Sequence, residues 1–186
     1  MANINKLAPF ILRCEARVDI FDYMKYPVEK GFVNDKDDNG GATNKGVTYA
    51  TYISYCKMKG MKTPTEDDLK KLPYSQWIDI LRLMYWNVWK ADDIVNQNVA
   101  NTLVDWLWGS GIAAIRIPQR LLGVPVDGIV GSITIKAVND SDARQFFEKI
   151  KSERAEYYRQ VVRHNPTQKK FLRGWLNRLN SLYYYE

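Results

Sequence analysis

Histidine is almost missing: His164 is the only one in 186 residues. A zinc amidase or metallopeptidase built on two or more imidazoles is thereby nearly excluded. A Ser–His or Cys–His nucleophile pair would have to recruit that single ring. It precedes Asn165 and Pro166, where a helix end is expected and an imidazole serves as a cap or faces solvent. Cysteine is scarce as well. Cys14 and Cys56 read as free thiols of a chain made in a reducing cytoplasm, not as a disulfide. No apolar run approaches the ~18 residues of a membrane span. The stretch Leu7 to Leu12 is broken by Pro9 and followed by Arg13 and Glu15, so neither membrane insertion nor a signal peptide is expected. A Gly-rich phosphate loop and a dinucleotide fingerprint are also missing. No cofactor and no metal are expected. If the chain does chemistry, carboxylates are left to do it.

What is present can build a core. With 46% hydrophobic residues in 186, the chain has enough apolar surface for one domain, or one with a small appended lobe. The net charge of +6 favours polyanions: nucleic acid, anionic lipid or acidic wall polymers. No block of five like charges occurs, so a merely soluble basic surface accounts for it equally well, and charge alone is no case for nucleic acid.

Helical spacing recurs almost everywhere. Ile4, Leu7, Ala8, Ile11 and Leu12 form one stripe, with Asn3 or Asn5 as cap and Pro9 in the first turn. Thr48 is placed to cap a helix from Tyr49 to Lys59 that Gly60 stops, and Thr65 with Asp68 resembles a capping box. Trp77, Ile80, Leu81, Met84 and Val88 mark a further helix. Another runs from about Asp93 to Trp108 with Val95, Val99, Leu103 and Trp106 inward. Two long helices, Ser141 to Arg163 and Thr167 to Leu182, close the chain. The fold class expected is mainly α, with one small loop or hairpin region.

That region is Gly31 to Thr48, rich in glycine, asparagine and aspartate. Asn39-Gly40 is a turn signal, and a polar loop set between helices is where function tends to sit. A calcium loop is the alternative, but the closing glutamate of an EF-hand is lacking.

NDKDDNGGATNKGVT, with Asn34, Asp35, Asp38, Gly40, Gly41, Thr43 and Gly46, resembles the signature of glycoside hydrolase family 108, the lysozyme-like N-acetylmuramidases of phage endolysins and prophage-derived genes. Tyr85-Trp86 before Trp89, and VANTLVDWLWGSG from Val99, are similar to the family too. PQRLLGVPVDGIVGSITIKAVN, with Asp127, Gly128, Gly131 and Thr134, resembles its peptidoglycan-binding segment. The resemblance implies a lysozyme-like fold, a catalytic part over residues 1–110, and a peptidoglycan-binding segment with closing helices over 111–186. It implies cleavage of glycan strands between N-acetylmuramic acid and N-acetylglucosamine by a monomer. Without a signal peptide, another factor would have to deliver the protein to the wall.

The family's Glu-Gly-Gly-aromatic run is not intact, and two glutamates compete for its first place. Glu29 stands directly ahead of Lys30, Gly31 and Phe32. Glu15 ends the first helix, as the family's glutamate does; if it is the counterpart, an insertion of about fourteen residues follows before the pattern resumes at Gly31. Glu15 continues the stripe of Ile11 and Leu12, and an apolar face helps a carboxyl keep the proton a general acid must deliver. Glu29 has Lys25 and Lys30 near it in sequence, which suits an ionised base.

Glycoside cleavage needs a second carboxylate across the ring. Asp38 is the first candidate and Asp35 the second, with Thr43 to position water; each is equally apt as a turn stabiliser. A Gly-rich loop that leaves room for water favours inversion. Trp77, Trp106 and Trp175 fall on apolar faces and belong to the core, whereas Tyr49, Trp86, Trp89 and Trp108 are candidates to line a cleft. Asp127 and Thr134 are candidates for wall contact, or fix a turn and cap a helix. A second reading stays open: a wall-binding protein whose altered Glu-Gly-Gly run has cost it the activity.

Overall fold

The computed structural model describes residues 1–25, 30–34 and 41–186. Two compact units emerge, Asn5–Met84 and Tyr85–Glu186 with Met1–Ile4, so this division falls ahead of the 110/111 boundary suggested by the sequence.

In the unit Asn5–Met84, α1 (Ala8–Ala16) carries Pro9 in its first turn, where the absent N–H has no helical partner to lose. Its N-cap is Leu7, without a side-chain bond, and a 3₁₀ turn over Ile4–Lys6 leads in; neither Asn3 nor Asn5 caps it. The helix buries Ala8, Ile11, Leu12 and Ala16, the expected stripe, and stops where Arg17 turns left-handed at φ 52°. The short α2 (Ile20–Lys25) follows and buries only Tyr23. At six residues it is too short to show a helical period in the sequence.

Three two-residue strands form an antiparallel sheet in the order β1 (Phe32–Val33), β2 (Thr43–Asn44) and β3 (Val47–Thr48). Phe32 pairs with Asn44, and Asn44 with Val47. The β2–β3 turn is Lys45-Gly46, with φ 50° and 80°. Two positive φ values in a two-residue loop match the twist of the flanking strands. The Asn39-Gly40 turn expected from sequence lies outside the described residues.

Thr48 caps α3 (Tyr49–Met58), accepting the Thr51 N–H at 3.2 Å. Thr65 and Asp68 close a reciprocal capping box on α4 (Glu66–Lys70). Then α5 (Tyr74–Leu81) buries Trp77, Ile80 and Leu81 and passes into a π-helical stretch, Arg82–Trp86. The wider turn breaks the 3.6-residue period, so Val88, expected on the same stripe, is exposed.

In the second unit, Asn96 caps α6 (Gln97–Ser110) by accepting from the N–H groups of Asn98 and Val99. Val95 lies ahead of that cap and is exposed rather than inward. Two further helices follow: α7 (Ala113–Leu122), which was not anticipated and holds Pro118 in its interior, and α8 (Ser132–Asp140). The closing helices are α9 (Ala143–His164) and α10 (Lys169–Asn180). Trp175 is half-buried, not core, and Phe171 is exposed.

One fully buried carboxylate ties three of these helices. Asp105 of α6 accepts from Arg154 Nη1 of α9 at 2.8 Å and from Arg178 Nε and Nη2 of α10 at 3.0 and 2.8 Å. Burial pushes its pKa up, but the two guanidinium groups carry it below the ordinary carboxylate value. Arg154 adds a bond from Nε to Tyr158 Oη at 2.7 Å.

Candidate active site

Glu15 is half-buried at the last turn of α1. Its side chain lies against the β2–β3 turn: a Cβ built on Gly46 would stand 2.7 Å from Glu15 Cδ and 2.9 Å from Oε2. Glycine is required there twice over, by the φ of 80° and by the carboxyl that fills the space of a side chain. The sequence thus brings the first helix and the Gly-rich region together at one carboxylate.

The chain leaves α1 at Ala16 and returns beside it at Gly31. A Cβ on Gly31 would meet Ala16 Cβ at 2.6 Å, and its φ is 99°. Residues 17–30 are therefore a detour between two neighbouring points. Lys30 Nζ donates to the Arg17 carbonyl at 3.0 Å, where the two ends of the detour come together.

Tyr23 is the detour's anchor. It is buried, donates from Oη to the Leu72 carbonyl at 2.7 Å, and meets Tyr74 and Trp77 edge-on. Lys45 Nζ sits 4.5 Å from the centre of the Tyr23 ring and donates to Asn44 Oδ1 at 3.0 Å. Asn44 Nδ2 in turn donates to the Leu69 and Lys70 carbonyls at the end of α4, and Trp77 Nε1 donates to the Lys45 carbonyl at 3.1 Å. The hairpin turn is thus fixed from beneath. Burial pushes the Lys45 ammonium down to about 8 and the Tyr23 phenol well above its usual range. Sequence reasoning missed Tyr23, Asn44 and Lys45; a lysine at a turn carries no signal that it will be buried.

Thr43 is half-buried in β2, paired with Val33 and Thr48. Tyr49 is half-buried at the start of α3 and donates to the Pro64 carbonyl at 2.7 Å. Glu29, Asp35 and Asp38 lie outside the described residues. A hollow of about 350 Å³ is lined by residues that include Tyr52, Lys62, Asp68 and Gln76, and another of about 400 Å³ by Pro9, Arg13, Arg17, Val18, Asp19 and Ile20. Glu15 lines neither of these two.

The aromatics of the second unit need correction. Trp86 and Trp89 are fully buried, so neither can line a cleft. Trp86 Nε1 donates to Asp92 Oδ1 at 2.8 Å, while the Trp89 N–H is enclosed without a partner among the described residues. Their spacing was that of a packed turn. Trp108 stays half-buried, its ring 4.6 Å from that of Tyr85.

The Asp127 turn is held from inside. Fully buried Gln119 donates from Nε2 to Asp127 Oδ1 at 2.8 Å and accepts the Gly128 N–H at 2.9 Å. The Ile129 N–H donates to the same Asp127 oxygen at 2.8 Å, and these bonds hold the carboxyl below its usual value. Thr134 is buried and cannot touch a wall polymer. Nor does it cap α8, whose N-cap is Gly131.

Residues 26–111 match the family model Glycosyl hydrolase 108, and residues 113–180 match Predicted Peptidoglycan domain. The first match takes in Glu29 and begins after Glu15. The solved structure of SagA from Brucella abortus is 26% identical with a TM-score of 0.75, over 96% of this chain and 90% of that one. No curated protein matches the chain. Fold and matches together define a peptidoglycan hydrolase, a glycosidase by class, on a mainly helical lysozyme-like fold. Within that class, residues 26–111 are similar to glycosyl hydrolase family 108, and the stretch similar to a peptidoglycan domain follows them.

Proposed function

We propose that the chain is a lysozyme-type N-acetylmuramidase in which Glu15 is the proton donor. The observation that carries this is the packing of the Glu15 carboxyl against Gly46, with Gly31 returned to Ala16. Together these put the end of the first helix and the hairpin side by side and make residues 17–30 an added detour. Glu29 then belongs to the detour, and the family match begins within it.

In this reading Glu15 protonates the glycosidic oxygen as the bond to the leaving sugar breaks. A loop carboxylate, Asp38 or else Asp35, takes a proton from the attacking water on the opposite face, with inversion, and Thr43 orients that water. Tyr49 and the Tyr85–Trp108 pair offer aromatic surface to sugars, each within its own unit. Residues 1–110 form the hydrolytic part and 111–186 the wall-binding part of a monomer acting at the cell wall after delivery by another factor, as a phage or prophage endolysin does. No helix among the described residues is long and apolar enough to cross a membrane.

The test compares two substitutions by turbidity on purified walls. Glu15→Gln keeps the shape and removes the proton, and lysis should fall by at least ~10²-fold. Glu29→Gln should cost much less. The opposite ranking transfers the role to Glu29. A wild-type protein that binds walls and releases no reducing ends makes it a wall-binding protein alone.

A further inference from the structure

The peptidoglycan domain carries an aliphatic ridge that its own packing does not use. Ile112, Val126, Ile129 and Ile133 are between 48% and 69% exposed. Ile112 precedes α7, Val126 and Ile129 flank the Asp127-Gly128 turn, and Ile133 opens α8. The turn and α7 touch: a Cβ on Gly128 would meet Ile112 Cδ1 at 2.7 Å and Arg116 Nε at 3.3 Å, and Gly128 has a φ of 80°. The Gln119 clasp holds that turn with its apolar side chains outward. A soluble surface gains nothing from displaying four large aliphatic groups in so short a stretch.

Arg116 stands beside the ridge. It is exposed and its side chain makes no hydrogen bond or ion pair among the described residues, although its charge helps hold the Asp127 carboxyl low. Sugar rings are gripped by flat aromatic faces, yet no Phe, Tyr or Trp occurs between Trp108 and Phe146. Methyl-bearing residues and one guanidinium fit another part of peptidoglycan: its short stem peptides, rich in alanine and ending in carboxylates.

We infer that this ridge binds the stem peptides of peptidoglycan, with Ile112, Ile129 and Ile133 against alanine methyl groups and Arg116 on a carboxylate. This rests on the wall-binding role proposed for residues 111–186 and specifies which part of the polymer is read. The hydrolytic part then needs no peptide contact of its own to be held near its bond.

The full chain carrying Glu15→Gln, so that substrate persists, is measured on three ligands: intact sacculi, glycan strands freed of stem peptides by an amidase, and anionic phospholipid vesicles. Binding to sacculi should exceed that to peptide-free strands by at least ~10-fold and be competed by soluble stem peptide. Ile129→Ser with Ile133→Ser, and separately Arg116→Gln, should each weaken sacculus binding by roughly 10-fold with an unchanged melting temperature, because all three side chains are exposed. Equal binding to peptide-free strands overturns the inference and leaves the wall-binding role standing. Binding to vesicles that the isoleucine pair abolishes, with sacculi unaffected, makes the ridge a lipid surface and also overturns it. Failure to bind sacculi at all removes the wall-binding role itself.

Discussion

Glu15 and Gly46 share a space that holds only one side chain, since a Cβ on Gly46 would lie 2.8 Å from Glu15 Cγ. Gly46→Ala should therefore displace the carboxyl and lower wall lysis by about 10²-fold, as misplacement of a reacting group by an ångström can do. Gly41→Ala is the matched control: φ is 67° there, but nothing among the described residues lies within 4 Å. Both variants should lose about 1–2 kcal/mol to backbone strain, measured by chemical denaturation. Equal activity in the two would show that contact with Glu15 is irrelevant to lysis.

Gly31 and Ala16 should be energetically coupled. Gly31→Ala adds a methyl group 2.6 Å from Ala16 Cβ at a φ of 99°, and Ala16→Gly removes the obstacle but not the strain. A double-mutant cycle in urea should give a favourable interaction of about 1 kcal/mol or more. Strict additivity would mean that the chain does not return to Ala16.

Much of the helical frame was legible before any coordinates. Thr48, Thr65 and Asp68 announce helix starts by chemistry that acts within three residues, and the stripe of Ala8, Ile11 and Leu12 is a local period. What escaped was non-local. Nothing near Lys45 in sequence says that its ammonium will lie over Tyr23, and nothing near Asp105 points to Arg154 and Arg178. Pro118 lies inside α7, where packing offsets the hydrogen bond it cannot make. Trp86 and Trp89 resembled cleft residues because large aromatics suit a sugar and a core equally. The choice of Glu15 rests on a contact between residues 31 positions apart, visible only as a shared motif.

Lys45 sets a pH dependence. Its ammonium is lowered from an ordinary 10.5 to about 8 by burial, so the folded state holds its proton less tightly than the unfolded one. Its contribution is a penalty fully present below pH 8, relieved as pH rises from about 8 toward 10.5. Lys45→Met lacks this titration. The variant's stability relative to wild type should fall by up to about 3 kcal/mol between pH 7 and 10, measured by urea unfolding at each pH. A constant difference across that window would show that the ammonium is not desolvated.

Asp105→Asn should be among the most destabilising single changes in the second unit, at roughly 3–5 kcal/mol, because it strands two guanidinium groups on a neutral partner. The denaturation midpoint of the Tyr85–Glu186 unit reports it. In the wild type the same carboxylate, held below its ordinary value, supports the fold above the usual carboxylate range. That support is lost as pH falls through its lowered pKa.

The detour between Ala16 and Gly31 begins and ends at adjacent points, which makes it a natural splice site. Residues 17–30 can change in length without altering the distance the chain must bridge between Glu15 and the hairpin. The one piece that cannot simply be cut away is Tyr23, which plugs the floor under Lys45. A graft that keeps an aromatic at that depth is free to carry other sequence around it, so the segment beside the proposed proton donor can be exchanged without moving Glu15.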